Sequence, residues 1–426
     1  MADLELSSLH ASLTDRALNS MNFLNEISHH YPDAISLAAG RPTEEFFDLD
    51  DIPRYLELFA EHLRTKGLDE AAVRRTILQY GRTKGVIHEL IARNLAVDED
   101  LYVDPEAIVV TAGCQEAMLL TLRALRADAA DVLLAISPAY VGITGAARIV
   151  DLPVLPVPDL DDLPAVIKRA RADGLRPRGF YVMPDFANPS GLSMDLPTRR
   201  RLLELATAEE LLLLEDNPYG LFPAAGIDRL PTLKALDTER RVIYLGSFAK
   251  TGLPGARVGF VVADQTVNTG GLFADELSKL KSMVTVNTSP IAQAVIGGKL
   301  LDCDFSLAAA NQRERAIYAT NLAIVSNHLA AHFPNGELTW TIPSGGFFVV
   351  ITVPFVVDDE LLTKSAQEYG VLWTPMAHFY DTDAPVNALR ISCSGTTGAQ
   401  LQVALNRLTA LITDQLVLST RSELDL

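Results

Sequence analysis

A lysine between two residues that suit a phosphate offers the clearest chemistry in this sequence. Lys250 lies three residues after Ser247 and seven residues before Arg257. A hydroxyl and a guanidinium both bind phosphate groups well. A lysine that is buried beside a cation has a lowered pKa, and its neutral amine then becomes a nucleophile for a carbonyl. The segment therefore favours covalent amine chemistry beside a phosphate, although any single lysine can also be a solvated surface charge.

A carboxylate at the end of an apolar run is the second candidate. Asp216 directly follows residues 211–215, whose leucines predict a buried strand. Such a carboxylate could keep the nitrogen of a pyridine ring protonated, and Tyr219 could then reach a hydroxyl on that ring. A turn or helix-cap aspartate would explain the same residues, so Asp216 alone does not decide the chemistry.

Four further features could serve the same binding site. Asn188 begins a turn, and Tyr140 could lie flat on an aromatic ligand. Residues 113–115 lie where a strand meets a helix, and free N–H groups at a helix start bind phosphate. Arg390 lies beside an apolar strand, where its guanidinium could hold a carboxylate at two points. Each feature also has an ordinary explanation as a turn, a cap or a core residue, so only their shared order indicates a site.

The elements that must position these residues form an α/β pattern. Short apolar runs alternate with helix-like stretches, and runs without polar alternation indicate strands that are covered on both faces. The strand–helix–strand order predicts right-handed crossovers and a mostly parallel sheet. Ligands bind beyond the carboxyl ends of such strands, where the loops of this sequence carry the candidate residues. The predicted strands are 107–111, 131–136, 179–183, 211–215, 242–245 and 258–263.

The pattern changes near residue 316, where strands and helices suggest a smaller α+β domain. We expect a large domain over 49–315 and a small domain over 316–426. Residues 1–48 are expected to form an N-terminal arm and part of the small domain. Strands of the small domain are predicted at 338–342, 347–353, 371–375 and 388–392, and helices at 359–369 and from about 393 through 411.

The amino-acid composition argues against several kinds of binding partner. The chain has 54 acidic and 36 basic residues and a formal net charge of −18, which argues against a nucleic-acid-binding face. The three cysteines are far apart and have no metal-ligand spacing, so we predict no metal site and expect a cytoplasmic protein. No apolar run reaches the roughly 18 residues that a membrane span needs.

In this order and spacing, the residues resemble the class I/II aminotransferases of pyridoxal-phosphate (PLP) fold type I, the aspartate aminotransferase superfamily. The resemblance extends from about residue 35 to residue 390. It adds a glycine-x-proline motif at 40–42, which contains Gly40 and Arg41. It also adds the tyrosine–glycine pair at 80–81, which resembles the segment that reaches the phosphate of the neighbouring subunit.

The resemblance implies a seven-stranded, mostly parallel sheet flanked by helices, with PLP bound to Lys250 as a Schiff base. The implied cofactor-binding residues are Gly113, Cys114, Gln115, Tyr140, Asn188, Asp216, Tyr219, Ser247, Lys250, Arg257 and Tyr80. The implied substrate-binding residues are Gly40, Asn188 and Arg390, and Lys250 is the catalytic residue. Arg41 is a further substrate-binding candidate that could bind an acidic or hydroxylated substrate, although a surface charge would explain it equally well. The family also implies a homodimer with shared active sites, in which Tyr80 serves the partner's cofactor.

The function implied is transfer of the amino group of an amino acid to a 2-oxo acid. Three departures from the family pattern leave the outcome and the substrate open: Arg41 replaces a small or apolar residue, Met376 replaces a glycine, and 44–47 is bulkier and more acidic. His378 could approach the substrate, although a structural histidine is favoured.

Two alternatives to amino transfer follow. The first is an enzyme of the same fold that catalyses elimination, as in a C–S lyase, or decarboxylation or oxidative deamination. The second is a ligand-sensing regulator on the same scaffold. This alternative is not favoured because only 34 residues precede Ile35, too few for a preceding DNA-binding domain with a linker.

Overall fold

The computed structural model describes residues 3–381 and 384–424, and within these ranges thirteen strands form three sheets. The strands are β1 (Ile35–Ser36), β2 (Ile108–Thr111), β3 (Asp131–Ile136), β4 (Val154–Val157), β5 (Arg176–Val182), β6 (Leu212–Asp216), β7 (Val242–Ser247), β8 (Gly259–Val262), β9 (Thr339–Trp340), β10 (Phe348–Thr352), β11 (Val371–Leu372), β12 (Thr374–Pro375) and β13 (Ala388–Ser392).

Helices surround these sheets. They are α1 (Arg16–His30), α2 (Asp51–Thr65), α3 (Glu70–Leu78), α4 (His88–Glu99), α5 (Cys114–Leu125), α6 (Val141–Ile149), α7 (Leu163–Ala172), α8 (Leu196–Ala208), α9 (Leu233–Leu236), α10 (Phe273–Val284), α11 (Pro290–Asp302), α12 (Leu307–Ala310), α13 (Gln312–His332), α14 (Asp359–Lys364) and α15 (Gly398–Leu424). A π-helical turn, Ser365–Tyr369, continues α14. No helix in the part of the chain that the structure describes is long and apolar enough to cross a membrane.

The large sheet has seven strands in the order β2-β8-β7-β6-β5-β3-β4. Only β8 runs antiparallel to its neighbours β2 and β7, so the predicted seven-stranded, mostly parallel α/β sheet is confirmed. Strand β4 was missing from the strands predicted by apolar runs. It lies at the sheet edge, is only partly buried and contains Pro156, which an edge strand tolerates.

Both faces of the central strands are buried, and this explains why their sequences lack polar alternation. In β2, Val109 packs on the face that carries Ile143 of α6, whereas Ile108 and Val110 pack on the opposite face with Phe59 of α2. Successive side chains of a strand point to opposite faces, so a strand covered on both sides needs apolar residues at every position.

A separate core lies around the C-terminal strands. Trp373 and Leu405 are buried there together with Ile27 and Leu37 from the N-terminal part of the chain. Strand β1 pairs in parallel with β11, and β12, β13, β10 and β9 form a four-stranded antiparallel sheet. Helix α15 continues to Leu424, well beyond the predicted end at residue 411. The domain boundaries at residues 48 and 315 stay predictions.

The large sheet brings the candidate loops together. Strand β2 runs in the same direction as β7, because both are antiparallel to β8. The carboxyl ends of β2, β3, β5, β6 and β7 therefore meet at one edge of the sheet, where a ligand is expected to bind.

A buried ion pair holds the loop after β5. Arg199 of α8 has no exposed side-chain surface, and its guanidinium donates to Asp185 at 3.1 Å and to the carbonyl oxygens of Pro184 and Met194. This loop carries Asn188, so the pair fixes one wall of the candidate site.

Replacing Arg199 by leucine should lower the free energy of unfolding by about 3–5 kcal/mol, because Asp185 would remain buried without a partner. Arg201 lies on the same helix as Arg199 and forms an exposed ion pair with Asp161. Arg201→Leu breaks this pair and should cost less than about 1 kcal/mol. Urea denaturation followed by circular dichroism compares the two variants. Equal losses would contradict the importance of the buried pair.

Candidate active site

A cavity of about 320 Å³ opens at the carboxyl edge of the large sheet. It is lined by twelve of the residues predicted from the sequence: Gly40, Arg41, Cys114, Gln115, Tyr140, Asn188, Asp216, Tyr219, Ser247, Lys250, Arg257 and Arg390. Met21 of α1, Phe348 and Phe379 complete its apolar wall. The structure thus brings together residues that are up to 350 positions apart in the sequence, from Gly40 to Arg390.

The amine of Lys250 lies inside this cavity. Its Nζ donates to the carbonyl oxygen of Gly40 at 2.5 Å. Burial, followed by the positive charges of Arg257, Arg390 and Arg41, lowers the pKa of Lys250 to about 8. A substantial fraction of the amine is therefore neutral near physiological pH and can attack a carbonyl.

The carboxylate of Asp216 lies at the end of β6 and is almost completely buried. Its Oδ2 accepts a hydrogen bond from the Tyr181 hydroxyl at 2.6 Å, and its Oδ1 accepts a weaker one from the Cys114 thiol at 3.6 Å. Burial raises the pKa of Asp216 to about 6, and these two donors oppose that rise. Sequence reasoning missed Tyr181, whose only signal was a hydroxyl-bearing residue in the apolar run 179–183.

Arg390 on β13 is fully enclosed at the opposite side of the cavity. Its Nη1 donates to Asn188 Oδ1 at 2.5 Å, and its Nη2 donates to the Ala38 carbonyl oxygen at 2.7 Å and to Thr374 Oγ1 at 3.2 Å. Its Nε is buried and has no hydrogen-bond partner among the described residues. Burial lowers the pKa of Arg390 to about 10, so the guanidinium still carries its charge at neutral pH.

Two aromatic rings hold the Arg390 guanidinium. The centres of the Phe348 and Phe379 rings lie 4.3 Å and 4.8 Å from its Cζ. Cation–π contacts of this kind fix the plane of the guanidinium. The unpaired Nε and the fixed plane leave a directed donor for an anion.

The start of α5 forms a second anion-binding region. Gly113 precedes this helix with φ +77°, and a Cβ added there would lie 2.7 Å from an Arg257 guanidinium nitrogen. Only glycine therefore lets the guanidinium of Arg257 lie against the helix start. The first N–H groups of a helix have no carbonyl partner within it, and Ser247 adds a hydroxyl at the end of β7. This donor set suits a phosphate dianion.

Tyr140 and Tyr219 contribute the aromatic walls. Tyr140 precedes α6, and the Gln115 side chain fixes that helix start by donating to the Gly142 carbonyl oxygen at 2.7 Å. Tyr219 is buried edge-on against Phe348, with ring centres 5.5 Å apart. Burial raises the pKa of both tyrosines, so both hydroxyls stay protonated and can donate hydrogen bonds.

Two predicted residues do not line the cavity. Gly113 lies behind it, against Arg257, as described above. Tyr80 is 81% exposed, so within a single chain it contacts no part of the site. The prediction that Tyr80 serves the site of a partner subunit stays a prediction.

His378 is a structural residue. Its Nδ1 shares a hydrogen bond with Ser20 at 2.7 Å, its Nε2 contacts Asp359 at 2.8 Å, and its ring stacks on Phe23. These contacts direct the imidazole toward α1 and α14 and away from the cavity, as the favoured interpretation of the sequence expected.

Comparison with known proteins identifies the family. The family model described as "Aminotransferase class I and II" matches residues 35–408. The chain belongs to this family. It is 57% identical over 421 residues to an (S)-3,5-dihydroxyphenylglycine transaminase from Amycolatopsis orientalis, across 97% of this chain and 95% of the relative. It is 32% identical to a 2-aminoadipate transaminase from Thermus thermophilus, across 85% of each chain.

Solved structures agree with this assignment. A kynurenine aminotransferase from Pyrococcus horikoshii, crystallised with the cofactor form PMP, superposes with a TM-score of 0.80 at 26% identity, across 97% of both chains. The α-aminoadipate aminotransferase of Thermus thermophilus, bound to a phosphopyridoxyl-leucine adduct, gives a TM-score of 0.78 at 28% identity, across 97% of this chain and 100% of that chain.

The predicted family, the fold type I architecture and the aminotransferase activity are confirmed. The enzyme transfers an amino group between an amino acid and a 2-oxo acid. The alternatives of elimination, decarboxylation and ligand sensing gain no support from these two transaminases. The roles of the individual site residues and the cytoplasmic location stay predictions.

The pH dependence of Lys250 can be measured directly. We expect its labelling by a small aldehyde, trapped by borohydride reduction and located by mass spectrometry, to rise with pH through a midpoint near 8, because only the neutral amine attacks. Lys279 is exposed on α10 and serves as an internal control, because its labelling is measured in the same samples at each pH. Identical pH profiles for the two lysines would contradict the expected shift.

Proposed function

We propose that this aminotransferase uses PLP held on Lys250 and acts on an arylglycine of the 3,5-dihydroxyphenylglycine type. The observation that supports the chemistry is the meeting of Lys250, Asp216 and Arg390 in one cavity. The support for the side chain is the 57% identity to the dihydroxyphenylglycine transaminase over 97% of this chain.

The residues of the cavity fit both the phosphate and the pyridine ring of PLP. Ser247, Arg257 and the start of α5 would hold the phosphate, and the buried Asp216 would hold the ring nitrogen. Tyr140 would lie on the ring, and Asn188 and Tyr219 would donate to its hydroxyl. PLP supplies the electron-withdrawing ring that makes the α-proton of an attached amino acid acidic.

Lys250 is the residue that moves this proton. When its amine is free, Nζ of Lys250 would act as the general base that takes the α-proton of the bound amino acid. A pKa near 8 leaves the amine able both to take the proton and to return it. The Gly40 carbonyl oxygen, 2.5 Å from Nζ, fixes the direction of the amine.

Arg390 binds the α-carboxylate of the substrate. Its buried Nε lacks a partner among the described residues, and a carboxylate would satisfy it. Phe348 and Phe379 hold the guanidinium plane and exclude water from it. The carboxylate is thereby fixed relative to Lys250, which orients the α-proton toward the base.

The remaining wall suits an aromatic side chain. Met21, Phe348 and Phe379 are apolar, and Arg41 adds an exposed guanidinium that lines the cavity. The Arg41 carbonyl oxygen accepts a hydrogen bond from Ser394 Oγ at 2.6 Å, which fixes the backbone at this position. We infer that Arg41 donates a hydrogen bond to a ring hydroxyl of the substrate. The family more often has a small or apolar residue at this position. The ring hydroxyl of the substrate would explain why this chain has an arginine there.

An Arg41→Met variant tests the proposed substrate. The kcat/KM for (S)-3,5-dihydroxyphenylglycine should fall roughly 10- to 100-fold, because a hydrogen bond from a charged donor is lost. The kcat/KM for (S)-phenylglycine, which has no hydroxyl to bind, should change by less than roughly threefold.

Arg313→Met is the matched control for Arg41. Arg313 is also exposed, but it stacks on Phe46 and does not line the cavity. Both substrates should keep their wild-type kcat/KM in this variant. An equal loss for both substrates in Arg41→Met would contradict the role of Arg41, and a wild-type enzyme that does not turn over the dihydroxylated substrate would contradict the proposed function.

We also propose a homodimer in which Tyr80 completes the partner's phosphate site. Large apolar side chains are exposed next to Tyr80 in sequence, at the end of α10 and at the start of α11, namely Leu78 at 68%, Met283 at 84% and Ile291 at 49%. Exposed apolar side chains that together form a patch are typical of a covered interface.

Mixing two inactive variants tests the shared site. Tyr80→Ala and Lys250→Ala homodimers should both be impaired, and their unfolded and refolded mixture should regain activity. A heterodimer that places both changes in one site leaves the other site intact, so random pairing restores about a quarter of wild-type activity. No recovery would contradict the contribution of Tyr80 to the partner's site.

A further inference from the structure

The loop before α5 is held by a buried acidic side chain. Glu116 lies in the first turn of this helix, and its Oε2 accepts the backbone N–H of Ala112 at 2.5 Å. Ala112 and Gly113 form the loop that leads from β2 to the phosphate-binding helix start. Glu116 therefore fixes this loop from the side that faces away from the cavity.

Helix α5 has no side-chain cap at its N-cap position, and the reason is steric. A serine, threonine or aspartate at the cap position normally bonds to the first free N–H groups. Gly113 occupies that position, and the Arg257 guanidinium fills the space that a side chain would need. Glu116 instead fixes the loop before the helix by accepting the N–H of Ala112, and Gly113 gives the first N–H groups of the helix no side-chain cap.

Two further residues close a hydrogen-bonded ring around this carboxylate. Lys281 of α10 donates to Glu116 Oε2 at 2.8 Å and to Thr285 Oγ1 at 2.8 Å. The Thr285 hydroxyl donates to Glu116 Oε1 at 2.6 Å. The Lys281 side chain has no exposed surface and that of Glu116 is 7% exposed, so the bond between these two groups is shielded from water.

The net charge of the Glu116–Lys281 pair matters because a phosphate group is proposed to bind next to it, at the start of α5. A buried carboxylate in the first turn of α5 would repel a phosphate dianion at the same helix start. The ammonium of Lys281, 2.8 Å from that carboxylate, cancels its charge. Glu116 can therefore hold the loop without weakening an anion site.

We propose that Glu116, Lys281 and Thr285 are positioning residues that shape the 112–114 loop for the cofactor phosphate, with Lys281 neutralising the carboxylate there. This inference rests on the proposed function, because it assumes that the start of α5 binds the phosphate of PLP. The three residues are expected to affect the binding of the phosphate group and to leave the binding of the pyridine ring unchanged.

Two variants and one control separate this role from a general structural one. Lys281→Met leaves the Glu116 charge unpaired, and the affinity of the cofactor-free protein for PLP should fall roughly tenfold or more. Affinity for pyridoxal, which lacks the phosphate, should stay within roughly twofold of wild type. The double variant Glu116→Gln/Lys281→Met removes both charges and should recover most of the affinity for PLP.

Lys234→Met is the matched control. Lys234 is also buried and ion-paired, with Nζ 2.7 Å from Asp264, but it lies outside the cavity. Titration with PLP, with pyridoxal and with inorganic phosphate, followed by intrinsic fluorescence, gives the affinities, and thermal unfolding reports whether each variant is folded.

The outcomes are distinct. A loss of PLP affinity in Lys281→Met that spares pyridoxal and that the double variant reverses supports the inference. Equal losses for PLP and pyridoxal, or no recovery in the double variant, would overturn it. A wild-type protein that binds no PLP would instead refute the proposed function itself.

Discussion

The removal of charged groups from water at the carboxyl edge of the large sheet governs the chemistry of this protein. Burial raises the pKa of Asp216 to about 6 and lowers the pKa of Lys250 to about 8. The ordinary values, roughly 3.9 and 10.4, are much further apart. The base that must gain and lose a proton is thus brought close to neutral pH by the same desolvation that strengthens the contacts around it.

The sign of the Asp216 shift links this site to stability. Because its pKa is higher in the folded protein than in the unfolded chain, ionisation of Asp216 opposes folding. Its contribution is most favourable below about pH 4 and declines as the pH rises to about 6. Tyr181 and Cys114 limit this cost by donating to the two carboxylate oxygens. A cationic ring nitrogen beside Asp216 would offset the remainder.

Much of this arrangement could be predicted from the sequence, because the signals are local. Continuous apolar runs mark β2, β3 and β6, and the residues that follow each run lie at one edge once the strands are parallel. Asp216 at the end of β6 and Lys250 after β7 could be placed at this edge in this way. Edge strand β4 could not, since partial exposure and Pro156 remove its apolar signal.

Contacts between distant residues explain what the sequence did not reveal. Glu116 and Lys281 are 165 positions apart and meet only because α10 packs on α5. Tyr181 reaches Asp216 because β5 and β6 are neighbours in the sheet. The partners of His378 lie on α1 and α14, which no local pattern around residue 378 indicates.

The most direct measurement is a single half-reaction on the purified enzyme loaded with PLP. An amino acid substrate is added without any 2-oxo acid, and the released products are quantified. Amino transfer through Lys250 predicts about one equivalent of 2-oxo acid per site, followed by arrest, with turnover restored when a second 2-oxo acid is added. Continuous release of ammonia or carbon dioxide without an added 2-oxo acid would contradict amino transfer.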